Sequence, residues 1–362
     1  MTDTEFRLIQ NPRRKGRAAA SNPDNRFEST TRIAVDDGWQ RDEELPPFRT
    51  EVSFERPRSV ITRNSSPDLH FDRSINPYRG CEHGCIYCFA RPSHAFLGLS
   101  PGLDFETRLI ARPAAPEVLT KELARKSYKP RVIAIGTNTD PYQPIEKTHK
   151  IMRRILLVLQ QHNHPVGVVT KGSLIERDLD ILGPMGQAGL ARAGISLTTL
   201  SSDLARRMEP RVPSPARRLR MIENLSRSGC PVRVMVSPLI PGLSDHEMES
   251  ILQSAANAGA VSASYIPLRL PLEVAGLFRD WLQENYPDRA ARVMARVTEM
   301  QGGRDYNPEF GTRLRGQGEY ADMIAQRFRV AITRLGLVQD LPPLRDDLFQ
   351  VPKPVDRQLS LF

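Results

Sequence analysis

The sequence has few cysteines and no long apolar run. Only four of its 362 residues are cysteine. No apolar stretch approaches the roughly 18 residues that a membrane span needs. Residues 1–17 are polar and of mixed charge, without the apolar core of a secretion signal. We therefore expect a cytoplasmic protein, and in that compartment clustered cysteines indicate a metal site more than disulfide bonds.

Acidic residues are outnumbered by basic ones. The chain has 51 Lys and Arg against 42 Asp and Glu, which gives a net charge of +9. Many soluble proteins have a basic surface of this kind, and it also suits an anionic partner, nucleic acid first. Charge alone does not choose between these interpretations.

Three of the four cysteines fall within eight residues, in the segment Cys81-Glu-His-Gly-Cys85-Ile-Tyr-Cys88. Zinc sites usually close with four protein ligands. A cubane iron–sulfur cluster held by three thiolates keeps one iron open to a substrate or cofactor. The motif therefore predicts chemistry at a metal. Zinc with His83 or His94 as the fourth ligand is the alternative, although paired C-x2-C knuckles and an H-x3-5-H arm are missing.

Short apolar segments recur along the chain and alternate with helical patterns, as in a parallel α/β sheet that forms an open or closed barrel. The predicted strands are residues 131–135, 166–170, 193–197, 232–236 and 261–266. In such folds the chemistry lies at the carboxyl ends of the strands. The polar residues found there are our first site candidates: Thr139, Asp140, Lys171, Ser196 and Ser237.

Two helices between these strands have clear boundary signals. Ser214 and Pro215 are a predicted N-cap and first helical residue, and Gly229 is a predicted stop. Ser244 and Glu247 form a capping-box pattern ahead of the next helix.

Composition divides the chain into four parts. Residues 1–55 are proline-bearing, without lasting periodicity, and are predicted to be weakly ordered. Residues 56–272 form the predicted core, residues 273–339 a helical C-terminal extension, and residues 340–362 a proline-rich tail.

The C-x3-C-x2-C spacing, with Tyr87 before the last cysteine, resembles the radical S-adenosylmethionine (SAM) superfamily. The flanking residues 76–91 and the segment 136–144 are similar to the branch that contains spore photoproduct lyase and DNA repair photolyase-like proteins. The resemblance covers residues 70 to about 270. We expect an α/β fold: a partial (β/α)6 radical SAM barrel with a disordered N-terminal segment, a helical C-terminal extension and a flexible tail.

The resemblance implies an enzyme in which Cys81, Cys85 and Cys88 hold a [4Fe–4S] cluster. SAM would chelate the open iron. One electron from an unidentified donor would then cleave SAM to a 5′-deoxyadenosyl radical, which abstracts hydrogen from the substrate.

The same resemblance suggests four cofactor-binding residues. Tyr87 would lie near the adenine. Asp140 would receive the SAM amino group, or it is a turn residue before a proline. Lys171 would meet the SAM carboxylate or ribose, or it is a solvated loop lysine. Ser196 would hydrogen-bond SAM, or it is a strand hydroxyl bonded to the backbone.

One position departs from spore photoproduct lyase. Where that enzyme carries a cysteine hydrogen donor, this chain has Thr137. The remaining cysteine, Cys230, fits best as a buried small residue. We therefore do not expect a thymine-dimer lyase that uses this donor. Tyr78, Tyr142 and Tyr265 are alternative radical relays.

Arginines are concentrated in two regions, residues 206–220 and residues 304–315, the second interleaved with glycines. Flexible Gly/Arg segments can approach a phosphate backbone, and a solvated helix face explains the first group equally well. Tyr306, Phe310 and Tyr320 are candidates for base stacking or for loop packing.

The chain ends in Gln358, Leu359, Ser360, Leu361 and Phe362, after a proline-containing linker. This pentapeptide resembles the motif by which bacterial DNA polymerases and repair proteins bind the sliding clamp. Apolar anchors at a free terminus are typical of short-peptide recognition. The alternative is a tail that folds back onto its own domain.

Three functions remain open at this point. The first is repair or modification of lesions in DNA, and the second is radical modification of RNA or protein. The third is a non-enzymatic iron–sulfur adaptor on the sliding clamp. The terminal pentapeptide favours the first over the second.

Overall fold

The computed structural model of the protein describes residues 16–28 and 49–352. Ten strands occur in these ranges: β1 (Glu51–Phe54), β2 (Thr62–Arg63), β3 (Arg73–Ile75), β4 (Tyr78–Arg79), β5 (Arg108–Ala111), β6 (Ile133–Ile135), β7 (Val166–Thr170), β8 (Ala191–Ser196), β9 (Val232–Leu239) and β10 (Ser262–Pro267).

Eleven α-helices occur in the same ranges: α1 (Leu103–Thr107), α2 (Ala115–Leu123), α3 (Glu146–His149), α4 (Ile151–Gln161), α5 (Leu179–Gln187), α6 (Ser202–Met208), α7 (Pro215–Ser228), α8 (Met248–Asn257), α9 (Glu273–Asn285), α10 (Pro287–Met300) and α11 (Glu319–Leu335). Short 3-10 helices cover Arg91–Leu97, Ser173–Asp178 and Asp245–Glu247. None of the described helices is long and apolar enough to cross a membrane.

Seven strands form one sheet in the order β10-β9-β8-β7-β6-β3-β2. All neighbours are parallel except the antiparallel pair β2 and β3. Because β10 and β2 are the two ends of this order, the described sheet is open between them. The predicted α/β class and partial barrel are confirmed, and the barrel is open. A second sheet of three short strands, β1-β5-β4, lies beside it.

The strands of the large sheet have two different faces. In β9, Val232, Val234 and Val236 are fully buried in the main hydrophobic core, which includes residues of the flanking helices α7 and α8. Arg233 and Met235 alternate with them and are only partly buried. This period of two separates a helix-covered face from the face that lines the inside of the open barrel.

All five predicted strands are present, with boundaries shifted by at most three residues. The start and stop of α7 are confirmed, since Ser214 Oγ accepts a hydrogen bond from Arg217 N and Gly229 is left-handed at φ +92°. The predicted capping box before α8 is wrong. Ser244 Oγ accepts from Ile240 N, and the Glu247 carboxylate accepts from Leu200 N. Tertiary partners therefore take both side chains.

Strands β1 to β5 were not predicted, because they are short and, unlike β6, are not part of a longer apolar run. The expected domain boundaries stay a prediction. Residues 16–28 lie against the loop that follows β4, with Ala18 and Ala19 buried. At the other end, Val338 pairs with Ser262, and the Phe349 ring contacts His162 and His164.

Candidate active site

The three clustered cysteines lie on a loop, residues 80–91, which we call the cysteine loop. It begins directly after β4, near the carboxyl end of β3. Gly80 and Gly84 both have left-handed backbones, at φ +73° and +65°. A Cβ at Gly80 would lie 2.7 Å from a Leu109 methyl, and one at Gly84 would lie 2.5 Å from Glu106 Oε2. Conformation and space therefore both require glycine at these positions.

A buried ion pair holds the cysteine loop in place. Arg91 and Glu106 are fully buried, with Arg91 Nη2 2.5 Å from Glu106 Oε1. Arg91 also donates to the carbonyl oxygens of Gly84 and Cys85, at 2.9 and 3.0 Å. Because one guanidinium binds both the loop backbone and a buried carboxylate, the loop conformation is tied to the core.

The segment 16–28 covers this ion pair. The backbone nitrogens of Ala18 and Ala19 donate to the Glu106 carboxylate at 3.3 and 3.0 Å, and Arg17 Nη1 donates to the Glu106 carbonyl at 2.7 Å. On the other side, Gln143 accepts from Glu82 N at 2.8 Å and donates to the Gly80 carbonyl at 3.2 Å. The cysteine loop is therefore held by two parts of the chain that are distant in sequence, the segment 16–28 and Gln143.

All three cysteines are free thiols, with Cys81 and Cys85 buried and Cys88 partly exposed. Burial raises the pKa of each, and Asp140 raises that of Cys81 further. Lys171 and Arg91 act in the opposite direction on Cys85 and Cys88. A metal or cluster would take these thiols as thiolates, with the two cations nearby to offset the charge.

No group of three or more His, Cys, Asp or Glu in residues 16–28 and 49–352 is placed to hold a single metal ion. In an iron–sulfur cluster each thiolate binds its own iron, so the donors need not converge on one point. The donor set of three thiols on one rigid loop fits a cluster. Of the two histidines of the zinc alternative, His94 has Nε2 3.0 Å from the Arg108 carbonyl, and His83 has Nδ1 3.3 Å from Asp140 Oδ2. Both Nδ1 atoms are buried without a hydrogen-bond partner among the described residues.

Asp140, after β6, is surrounded by donors from the next strand and its own loop. Its oxygens accept from Thr170 Oγ1 at 2.5 Å, Lys171 N at 2.7 Å and Tyr142 N at 2.9 Å. Burial raises the pKa of Asp140, but His83 and these hydrogen bonds outweigh it, so the pKa falls to about 2. The carboxylate is thus ionised and joins the β6 and β7 ends to the cysteine loop.

Tyr87 belongs to a buried network beneath the same loop. Its hydroxyl donates to Glu209, which also pairs with Arg218 Nη2 at 2.6 Å. The Lys171 ammonium lies 5.8 Å from the centre of the Tyr87 ring. Burial raises the pKa of Glu209, while Arg218 and Lys171 bring the net value below the ordinary one. Two of the predicted cofactor-binding residues, Tyr87 and Lys171, are therefore neighbours.

The remaining strand-end candidates make mainly backbone contacts. Ser196 Oγ donates to the Ser237 carbonyl at 2.8 Å, and Thr139 Oγ1 donates to the Tyr78 carbonyl at 2.9 Å. The Ser237 hydroxyl is buried and has no partner among the described residues. Thus Ser196 makes the backbone bond of our alternative, and Ser237, two residues before the end of β9, offers an unsatisfied hydroxyl.

The alternative hydrogen donors lie in different surroundings. Cys230 is buried in the helix-side core, and burial raises its pKa to about 12. The Tyr265 ring packs against Phe328 of α11, 4.8 Å away. Tyr78 and Tyr142 are buried and donate to Glu146 and Asp178.

Sequence reasoning missed the partners that hold the loop: Glu82, Arg91, Glu106, Gln143 and Glu209. All of these except Glu106 are in segments that we had singled out, but nothing local distinguishes a buried polar side chain from a solvated one. Of the first arginine group, Arg211 pairs with Glu82, Arg217 with Glu176 and Arg218 with Glu209. These three arginines are thus engaged within the protein.

Comparisons with known proteins agree with this geometry. The family model of the radical SAM superfamily matches residues 75–255. The chain belongs to the radical SAM superfamily. Enzymes of this superfamily use a [4Fe–4S] cluster and SAM, so this chain is an enzyme with those cofactors.

Relatives occur in bacteria and archaea. An uncharacterized protein of Mycobacterium tuberculosis strain H37Rv is 32% identical over 296 residues, which cover 81% of this chain and 83% of the relative. An uncharacterized protein of Methanocaldococcus jannaschii is 26% identical over 215 residues, which cover 59% of this chain and 76% of the relative.

Solved structures of spore photoproduct lyase have the same fold. One mutant gives a TM-score of 0.57 at 15% identity, covering 82% of this chain and 87% of the other. Another mutant, with bound AdoMet (SAM) and dinucleoside spore photoproduct, gives 0.54 at 15% identity and 80% coverage of both chains. At these identities the likeness concerns the fold.

Proposed function

We propose that this radical SAM enzyme acts on DNA, with Cys81, Cys85 and Cys88 as ligands of its [4Fe–4S] cluster. The observation that carries the proposal is the set of three free thiols on one clasped loop, in a chain of this superfamily. Three thiolates leave one iron for SAM. When bound, the cluster supplies the electron that cleaves SAM to the 5′-deoxyadenosyl radical.

Four residues of this chain would position SAM. Tyr87 and Lys171 lie together beside the cysteines and suit the adenine and a carboxylate or ribose hydroxyl. Asp140 is ionised and carries the charge that suits an amino group, although its oxygens already accept three hydrogen bonds. Ser196 donates to a backbone carbonyl, so its lone pairs are left to accept from SAM.

DNA is the substrate class that the combined features favour. The solved structures with this fold include a lyase with a bound dinucleoside spore photoproduct. The net charge of +9 suits a phosphate backbone. Thr137 replaces the donor cysteine, so the reaction that we propose is DNA repair or modification without that donor.

We also propose that the enzyme is cytoplasmic and binds the sliding clamp through Gln358, Leu359, Leu361 and Phe362. These residues lie outside the ranges that the structure describes. The support is the sequence of the terminal pentapeptide and its position after a proline-containing linker.

The cluster is tested by anaerobic reconstitution of Cys85→Ala beside Cys230→Ala. Cys85→Ala should lose the cluster absorbance at about 400 nm and the cleavage of SAM, because one of the three ligands is gone. Cys230→Ala is the matched control, since Cys230 lies in the helix-side core, and it should keep both. Equal cluster content in the two variants would contradict the ligand assignment.

The substrate is tested by SAM cleavage with damaged DNA, undamaged DNA, RNA or protein extract. We expect turnover to 5′-deoxyadenosine to rise with damaged DNA. A rise with RNA or protein alone would favour the second function. No cleavage by cluster-loaded protein under any condition would favour the non-enzymatic adaptor.

Clamp binding is tested with a peptide of residues 350–362 and a purified bacterial clamp. We expect association in the micromolar range, as for short peptides with a few buried anchors. The matched control replaces Leu361 and Phe362 by alanine. A native peptide that binds no better than this control would remove the clamp from the proposal.

A further inference from the structure

The arginine- and glycine-rich segment between α10 and α11, residues 301–318, crosses the open side of the barrel. We call it the 301–318 strap. At its start, Gln301 Nε2 donates to the carbonyl of Leu268, just after β10, at 3.4 Å. Further along, Gly311 N donates to Asp68 Oδ1 at 2.7 Å. Leu268 and Asp68 belong to opposite edges of the seven-stranded sheet, so the strap connects the two edges.

One arginine of the strap holds this connection. Arg313 Nε lies 2.6 Å from Asp68 Oδ2, and Arg313 Nη2 donates to Ser66 Oγ at 2.6 Å. Both partners lie in the connection between β2 and β3. The strap is therefore fastened at its far end by one ion pair and one neutral hydrogen bond from the same guanidinium.

Two exposed aromatic rings lie along this connection, each against an arginine. Phe310 is 59% exposed, and the Arg313 guanidinium lies 4.6 Å from its ring centre. Phe89 is 47% exposed, follows Cys88 directly, and has Arg269 at 4.9 Å. Burial lowers the pKa of Arg269, and Tyr306 and Arg313 are among the groups that act on it. The surface thus runs from the strap to the cysteine loop.

Three further arginines on or beside the strap are exposed: Arg304, Arg315 and Arg329. Within residues 16–28 and 49–352, their guanidinium groups have no hydrogen-bonded or salt-bridged partner. Arg315 and Arg329 act on Tyr265 of the edge strand β10. In contrast, Tyr320 donates to Asp245 and lies under Arg296, so it belongs to the helix packing. The open side of the barrel therefore presents exposed arginines without a salt-bridge partner among the described residues, beside exposed rings.

We propose that the 301–318 strap and Phe89 form the surface that receives one strand of DNA with an unstacked base. Its phosphates would lie against Arg304, Arg315 and Arg329, and bases would stack on both Phe310 and Phe89. Cationic grooves with interleaved aromatic rings bind single strands in this way. The inference rests on the proposed DNA-directed function and names the surface that it uses.

The test is fluorescence anisotropy with the reconstituted holoenzyme and a labelled single-stranded DNA of about 12 nucleotides. The double variant Arg304→Ala/Arg315→Ala should bind about tenfold more weakly. Its log–log salt slope should fall by about 1.4, because each lost phosphate contact removes roughly 0.7. Phe310→Ala should weaken binding about tenfold through lost stacking.

The matched control is Arg220→Ala/Arg334→Ala, which removes the same charge from exposed positions of α7 and α11. It should bind like the wild type. Cluster absorbance and SAM cleavage without DNA should be unchanged in all variants, since none of these residues touches the cysteine loop.

Two outcomes would overturn the inference alone: equal losses in the two arginine double variants, or full affinity in Phe310→Ala. Binding of an RNA of the same sequence as tightly as the DNA would overturn the assignment to DNA. A wild-type holoenzyme that binds no DNA at low salt would overturn the proposed function together with the strap.

Discussion

The arginines that hold the cysteine loop differ in burial and pairing from those exposed on the 301–318 strap. Around the cysteine loop, Arg91 and Arg218 are completely buried and each pairs with a buried carboxylate. On the strap, Arg304 and Arg315 are exposed, with no salt bridge among the described residues. A buried arginine stays paired with its carboxylate, because leaving either charge unpaired in the interior costs free energy. An exposed one keeps its charge available for a ligand.

Removal of one buried arginine should have the largest effect on stability. Arg91→Met should lower the free energy of unfolding by about 3–5 kcal/mol, because it leaves the buried Glu106 carboxylate unpaired. Arg304→Met should change it by less than about 0.5 kcal/mol. Urea unfolding of both variants measures the difference, and similar values would show that the two regions are not distinct.

Replacing a glycine by alanine in each region shows how much room each leaves for a side chain. Gly84→Ala should cost about 3 kcal/mol, because a left-handed backbone and a Cβ 2.5 Å from Glu106 Oε2 both oppose it. Gly311 is also left-handed, at φ +84°, but a Cβ there would meet nothing within 4 Å. Gly311→Ala should therefore cost only about 1–2 kcal/mol. Thermal unfolding of both variants checks this order, and a larger loss in Gly311→Ala would contradict it.

The pH dependence of stability gives the smallest effect. Burial lowers the pKa of His94, beside the cysteine loop, to about 4. A free histidine has a pKa of about 6.5. Between the two pKa values the unfolded chain therefore binds one more proton than the folded chain. This group should thus remove about 2 kcal/mol of stability as the pH falls from about 8 to 5.

Unfolding at several pH values checks that effect. His94→Gln should flatten the profile, whereas His246→Gln, whose side chain is 66% exposed, should leave it unchanged. Parallel profiles for wild type and His94→Gln would show that His94 is not the responsible group.

Much of the fold followed from short-range patterns in the sequence. Apolar runs marked strands β6 to β10, and Ser214 and Gly229 marked the ends of α7. The capping box at Ser244 failed because Leu200 N took the Glu247 carboxylate. Strand β1 was invisible since its pairing comes from residues 108–111, which are distant in sequence.

The sequence by itself determined the superfamily, the cysteine triplet and the parallel α/β order, because spacing and periodicity are local properties of the chain. The tertiary structure decided which charges are neutralised. Tyr87 and Glu209 are 122 residues apart, and Arg313 and Asp68 are 245 apart, yet each pair is in contact. No local pattern encodes such meetings, since they depend on where the folded chain returns. For that reason only the structure separated the arginines that hold the cysteine loop from those exposed on the strap.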